Sequence, residues 1–200
     1  MYNYRKQTPE EKAEILNQRR TRRLPLHEPP HFHLAKGWFL ITAATYEHKQ
    51  YFHTDKEREW LLGELKKELQ IVKIPMSSWV VLPNHYHLLV QCHPLSVISR
   101  PLRKVHARTA RELNRRAGLT GRKIWHLFSY RQICNERHYY TTLNYIHYNP
   151  TKHDYVRKPS DWECSSFHWY EKHFGIEWLR DLWRTYPIRD YGKGWDWLSE

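Results

Sequence analysis

A pair of apolar runs separated by a Pro-Asn turn limits the possible folds of this chain more than any other pattern in it. The two runs lie in residues 77–91, SSWVVLPNHYHLLVQ, and they predict adjacent β-strands joined by a short connection. An earlier run at residues 37–47, GWFLITAATYE, has the β-branched and aromatic content of a strand, and Thr42 and Thr45 indicate a sheet with one exposed face. The chain is therefore expected to contain a sheet.

Three other segments have helical patterns. Residues 55–71 have apolar side chains near helical spacing and begin with Asp55, a candidate N-cap. Residues 96–117 predict a helix with a cationic face. Residues 137–148 predict a third helix that stops near Asn149, because the next residue is proline. The order strand, helix, strand, strand, helices predicts an α+β domain with helices packed on an antiparallel sheet.

The composition of the chain changes towards both ends. Residues 9–23 place glutamates before arginines, the polarity that favours a helix, and three prolines follow in residues 24–32. We therefore interpret residues 1–34 as a helical arm with a linker, residues 35–170 as the central domain and residues 171–200 as an aromatic-rich tail.

The net charge indicates a polyanionic partner. Lysine and arginine total 33 against 21 acidic residues, which gives a formal charge of +12. No stretch approaches the roughly 18 consecutive apolar residues of a membrane helix, and the N-terminus lacks the apolar segment of a secretory signal, so we expect a cytoplasmic protein without a membrane partner. The cysteines at 92, 134 and 164 have neither disulfide-framework nor zinc-finger spacing, and we expect free thiols.

Positive charge is concentrated in the predicted helix at residues 96–117. These side chains could neutralise several DNA phosphates, although a solvated helix face gives the same pattern. Trp125 and Phe128 could stack on unpaired bases or pack in the core. The candidate DNA-binding residues of the helix are Arg103, Lys104, Arg108, Arg111 and Arg115.

Two histidines are candidates for a metal site. Side chains alternate across a strand, so His85 and His87 project from the same face. Neutral imidazole is a frequent ligand of divalent ions, and this spacing can provide two ligands. In a chain with 15 histidines, the same pair is also compatible with a purely structural role.

A second group of polar residues lies in the segment LNYIHYNP. On a helix, Tyr145 and Asn149 are four residues apart and share a face. A phenol with a pKa of about 10 is a poor nucleophile near neutral pH unless a metal ion polarises the phosphate or stabilises the developing charge. The alternative is that Tyr145 packs like other tyrosines and Asn149 is only a turn residue.

Together these segments resemble the REP-associated tyrosine transposases of the HUH single-strand transposase superfamily. The resemblance rests on VVLPNHYHLLVQ, ERHYYTTLNYIHYNPTKHDYV and DWECSSFHWY, in that order, and it extends over nearly the whole chain. It implies an HUH endonuclease-like core of the ferredoxin/RRM type in the central domain. The chain departs from the family at Ser129-Tyr130-Arg131, where relatives often have an acidic residue.

The resemblance also implies a mechanism and a substrate. Tyr145 would be the nucleophile, and His85, His87 and Asn149 would hold Mg²⁺ or Mn²⁺. The enzyme would cut single-stranded DNA near a palindromic hairpin, form a covalent 5′-phosphotyrosine and later rejoin strands, as a monomer or homodimer associated with the nucleoid. The arginines at 19, 20, 22 and 23 of the arm could lie along the hairpin.

Other functions are compatible with the same residues. A domesticated relative could bind DNA or RNA without cutting it, and a metal-dependent hydrolase could activate water instead of a tyrosine. A hydrolase of that kind would form no covalent adduct with DNA.

Overall fold

The computed structural model describes residues 8–11, 13, 14, 17 and 37–193. Ala35–Lys193 form one compact unit, and a second unit comprises Met1–Leu34 with Gly194–Glu200. In the second unit, residues 9–11, 13, 14 and 17 are helical, as predicted. Thr8 and Glu11 cap one another there, each side chain accepting a hydrogen bond from the other's backbone N–H. The arm's arginines and the proline-rich linker lie outside the described residues.

The main unit follows the order β1, α1, β2, β3, α2, β4, α3, α4, α5. The strands are β1 (Gly37–Ala44), β2 (Met76–Val81), β3 (His85–Cys92) and β4 (Ser129–Gln132). The helices are α1 (Asp55–Ile71), α2 (Ser96–Arg116), α3 (Glu136–Lys152), α4 (Phe167–Phe174) and α5 (Ile176–Thr185). The sheet order is β2-β3-β1-β4, and every neighbouring pair is antiparallel. This is the predicted α+β arrangement.

Different helices pack on the two faces of the sheet. Helices α1 and α2 cover one face, where Tyr86, Leu88 and Val90 of β3 pack with Leu61, Leu65, Leu102 and Val105 in the main core. The alternate residues of β3, which include His85 and His87, lie on the opposite face, where α3 packs. Helices α4 and α5 pack with α3 in a second apolar cluster, which includes Leu143 and Tyr170.

Two predicted helix boundaries are wrong. The N-cap of α1 is Thr54 rather than Asp55, because the Thr54 and Glu57 side chains form a reciprocal capping box. Helix α3 does not stop at Asn149 but continues to Lys152. Pro150 removes only one backbone donor, and the last turn remains closed by the His153 N–H, which donates to the Asn149 carbonyl at 3.1 Å.

Candidate active site

His85 is held in one tautomer by its neighbour in the chain. The Asn84 amide nitrogen donates to the His48 carbonyl at 3.2 Å, which directs the amide oxygen of Asn84 towards Nδ1 of His85 at 2.7 Å. An amide oxygen can only accept, so Nδ1 of His85 carries the hydrogen. In the neutral ring, Nε2 of His85 is therefore left with a lone pair, which is the form that binds a metal ion.

His87 has a similar support from the neighbouring strand. Thr42 pairs with His87 across β1 and β3, and its hydroxyl lies 2.7 Å from Nδ1 of His87. Nε2 of His87 lies 3.4 Å from the hydroxyl of Tyr145. The rings of His85 and His87 are 5.1 Å apart, as their alternate positions on β3 predict.

Asn149 completes the group from α3. Its amide oxygen lies 3.0 Å from Nε2 of His85, and its buried amide nitrogen has no hydrogen-bond partner among the described residues. With Nδ1 of His85 protonated, two lone pairs face each other across this distance. Adjacent ligands at right angles, each about 2.1 Å from a Mg²⁺-like ion, would also lie about 3.0 Å apart.

These observations fit a divalent cation held by the two imidazoles and the amide oxygen. No group of three histidine, cysteine or acidic side chains in the described part of the chain could hold a metal ion. The ligands of a site made of His85, His87 and Asn149 would carry no charge, because neutral imidazoles and an amide oxygen are uncharged. The full positive charge of such a cation would then be available to attract a phosphate.

Tyr145 is completely buried in this conformation. Its ring contacts the His87 ring at 5.2 Å and the Tyr191 ring at 5.5 Å, and the ammonium group of Lys152 lies 5.1 Å from its centroid. Gly192 passes so close to the Tyr145 ring that an added Cβ would lie 2.9 Å from Cδ2 and Cζ. Tyr191 and Gly192 thus cover the Tyr145 ring in this conformation.

Residues that the sequence did not single out hold this closed segment. The hydroxyl of Tyr191 forms hydrogen bonds with Nε2 of His138 at 3.0 Å and with the hydroxyl of Thr142. Lys152 donates to the Gly192 carbonyl at 3.0 Å. Helical spacing could have placed His138, Thr142, Tyr145 and Lys152 on one side of α3, but no local pattern connects them to residue 191.

Arg131 also belongs to this face. It pairs with Leu40, two residues before Thr42 on β1, and its charge interacts favourably with Tyr191 and Tyr145 in their ionised forms. Burial lowers the pKa of Arg131 and of His138, and the charge of Arg131 lowers the pKa of His138 further. Strand β4 thus places the cation of Arg131 on the side of the phenol.

The predicted DNA-binding residues lie on α2, on the side of the sheet opposite to His85 and His87. Helix α2 covers the face of the sheet opposite to the histidine pair. Lys104 and Arg108 pair with Glu68, and Arg108 also pairs with Glu64. Arg115 pairs with Glu112 in its own helix. Arg103 and Arg111 are exposed on the same helix.

The two aromatic candidates for base stacking are used in packing. Trp125 is buried and stacks on His106 with a centroid distance of 4.4 Å, and its indole nitrogen donates to the hydroxyl of Thr109. Phe128 is partly buried against the main core.

All three cysteines are free. No helix in the described part of the chain is both long and apolar enough to cross a membrane.

The sequence and the structure are both similar to known transposases. The profile of a family described as IS200-like transposases matches residues 38–149. A Haemophilus influenzae protein described as a REP-associated tyrosine transposase is 34% identical over 148 residues, which cover 66% of this chain and 80% of the relative. A REP-associated tyrosine transposase of Escherichia coli K12 is 32% identical over 98 residues, which cover 46% of this chain and 54% of the relative.

A solved structure agrees with these matches. A REP-associated tyrosine transposase bound to a REP hairpin has a TM-score of 0.57 and 25% sequence identity, and the match covers 86% of this chain and 92% of that one. It confirms the α+β fold expected for an HUH endonuclease-like core. From its motifs, its fold and these matches, the chain belongs to the REP-associated tyrosine transposases of the IS200-like transposase family.

Proposed function

We propose that this transposase is a metal-dependent single-strand DNA endonuclease and strand transferase with Tyr145 as its nucleophile. The observation that carries the proposal is the convergence of four atoms. Nε2 of His85 lies 3.0 Å from the Asn149 amide oxygen, and Nε2 of His87 lies 3.4 Å from the Tyr145 hydroxyl. A phenol, two imidazoles and an amide in one buried place suit phosphoryl transfer better than packing alone.

The proposed reaction conserves the energy of the bond that is cut. The phenolic oxygen of Tyr145 attacks the phosphorus of the scissile phosphodiester while the bond from phosphorus to the 3′ oxygen breaks. The phenol loses its proton, and the departing oxygen takes one up to become a free 3′-hydroxyl. A 5′-phosphotyrosine remains, and a 3′-hydroxyl can later attack it to rejoin strands without ATP.

His85, His87 and Asn149 would hold Mg²⁺ or Mn²⁺. When bound, the cation polarises the scissile phosphate and stabilises the charge that develops on its oxygens. Asn84 and Thr42 hold the two imidazoles so that both Nε2 atoms remain directed to the site. Arg131 adds a fixed positive charge on the side of the phenol.

The DNA partner is proposed from the structural relative, which is bound to a REP hairpin. We propose a palindromic hairpin with an unpaired flank as the substrate, cut beside the foot of the stem. Exposed cations of α2, Arg103 and Arg111 among them, would contact stem phosphates. We also propose that the protein acts at the nucleoid in the cytoplasm, as a monomer or homodimer.

The test is covalent adduct formation on labelled single-stranded hairpins in Mn²⁺. Wild-type protein is compared with Tyr145→Phe, and Tyr140→Phe serves as the matched control on the same helix. We expect a protease-sensitive adduct on a denaturing gel with wild type and Tyr140→Phe, and none with Tyr145→Phe. Retained cleavage by Tyr145→Phe would indicate a water-activating nuclease, and binding without cleavage by wild type would indicate a domesticated binder.

The metal ligands have an independent test that needs no DNA. Free Mn²⁺, measured by its electron paramagnetic resonance signal, should be depleted by Tyr145→Phe but not by a His85→Ala or Asn149→Ala derivative of it. Equal depletion by all three proteins would remove this group of residues as the metal site.

A further inference from the structure

A surface beside the metal site carries aromatic rings and positive charges that the proposed chemistry does not use. It is formed by the loop after β1, residues 45–48, and by residues 123–126 before β4. The first segment is joined to the site through Asn84. The Thr45 N–H donates to the Asn84 carbonyl at 2.8 Å, and the same asparagine connects the His48 carbonyl with Nδ1 of His85.

The second segment continues the sheet next to His85. Thr45 and Trp125 form an isolated antiparallel bridge, and the His126 N–H donates to the Ala44 carbonyl at 2.9 Å. Ala44 is also the partner of His85 across β1 and β3. Because side chains alternate along strands, His126 lies on the same face as His85, while Trp125 enters the core on the other face.

Rings from the two segments lie against each other at this edge. The ring of Tyr46 lies 5.0 Å from that of His126, and the ring of His48 lies 6.3 Å from that of His126. The ammonium group of Lys123 lies 4.5 Å from the centroid of Tyr46. Tyr46 is half-buried, whereas His126 and Lys123 are exposed.

The loop is held in a costly backbone conformation. Glu47 and His48 have φ values of 54° and 50°, in the left-handed region that side chains other than glycine rarely adopt. The Glu47 N–H donates to Nε2 of His126 at 3.3 Å, and Asn84 holds the His48 carbonyl. Such strain is found at ligand-binding sites, where a fixed loop geometry is needed before the ligand arrives.

The local charge favours a nucleic acid over a protein partner. The carboxylate of Glu47 is paired with Lys49 at 2.7 Å, so the exposed ammonium group of Lys123 leaves this edge positively charged. Aromatic faces combined with cations are the means by which proteins hold unpaired bases, because every base has a face that can stack. A paired stem does not present its base faces in this way.

We propose that Tyr46, Lys123 and His126 bind an unpaired nucleotide in the flank of the hairpin, next to the phosphate to be cut. The base stacks on the rings, and Lys123 contacts the adjacent phosphate. The position relative to the cut rests on the proposed function, but the binding itself does not require cleavage.

The experiment measures binding in the absence of chemistry. In a Tyr145→Phe background with EDTA, fluorescence anisotropy compares a hairpin carrying a single-stranded flank with the same hairpin ending blunt. Tyr46→Ala and His126→Ala should each weaken binding of the flanked hairpin by about fivefold or more, the effect of one lost stacking contact. Binding of the blunt hairpin should change less than about twofold.

Two controls make the result specific. Tyr46→Phe keeps the ring and should bind the flanked hairpin like the parent, and Trp169→Ala removes an exposed ring from α4 and should have no effect. Thermal unfolding of each variant shows that the fold is intact. Unchanged affinity in both alanine variants, or equal loss for blunt and flanked hairpins, would overturn the proposal. Neither result depends on whether Tyr145 is the nucleophile.

Discussion

Gly192→Ala tests whether the closed segment over Tyr145 limits the reaction. Gly192 has a φ of 81°, where an alanine costs roughly 1–2 kcal/mol. An added Cβ would also lie 2.9 Å from two atoms of the Tyr145 ring, well inside the ordinary contact distance of about 3.5–4.0 Å. A combined penalty of about 2 kcal/mol on the closed conformation would raise the ratio of open to closed protein about 30-fold.

The assay is the single-turnover rate of adduct formation on a hairpin in Mn²⁺. If opening limits the rate, Gly192→Ala should react up to about 30-fold faster than wild type, within the range set by that penalty. Gly121→Ala is the matched control, since Gly121 has a φ of 71° but no atom near the added Cβ. It should leave the rate unchanged.

A second variant is needed because the added methyl group of Gly192→Ala could also displace the Tyr145 ring. Tyr191→Phe adds no atom but removes the hydrogen bonds to His138 and Thr142, so it should also accelerate the reaction. If neither Gly192→Ala nor Tyr191→Phe accelerates adduct formation while both remain folded, the closed segment does not limit access to Tyr145, and the reasoning is refuted.

Three further predictions concern charge, pH and folding. Burial lowers the pKa of His106 to about 4. Between about pH 6.5 and 4, His106 is therefore protonated in the unfolded chain but neutral in the folded one. As the pH falls from about 6.5 to 4, the free energy of unfolding should fall by at most about 1.4 kcal/mol per pH unit because of this group. Denaturant titrations at several pH values should show a weaker dependence of the free energy of unfolding on pH for His106→Gln than for wild type. The double variant Arg103→Ala with Arg111→Ala should weaken hairpin binding and reduce the slope of log affinity against log salt by up to about 2, with an unchanged slope arguing against phosphate contacts. Thr54→Ala should lower the free energy of unfolding by about 0.5–2 kcal/mol, measured in urea, because α1 loses its cap.

The fold could be predicted because its signals are local. The Pro-Asn turn and the apolar runs around it correspond to β2 and β3, and the alternation along β3 correctly placed His85 and His87 on one face. Spacing along α3 correctly placed Tyr145 and Asn149 on one face of the helix, and the structure shows that this face is buried. Periodicity of two and of 3.6 residues is sufficient for such statements.

The failures had two causes, one local to α3 and the others arising from contacts between residues distant in the sequence. The proline rule ended α3 too early, since neither the rule nor the sequence shows that the final turn closes around Pro150. The concentration of cations in α2 did not reveal that Lys104 and Arg108 face Glu64 and Glu68 of another helix. The cover over Tyr145 depends on residues near 191, which are close only in the folded chain.

The position of α2 behind the sheet has an evolutionary consequence. Helix α2 packs on one face of the sheet and Tyr145 contacts His87 on the other, so substitutions of the exposed cations of α2 and of Tyr145 should have additive effects. A lineage could then adapt α2 to a changed repeat without disturbing the nucleophile, and it could lose the nucleophile without losing its hold on DNA. Adaptation to new repeats and domestication would thus be separate, short mutational paths in this fold.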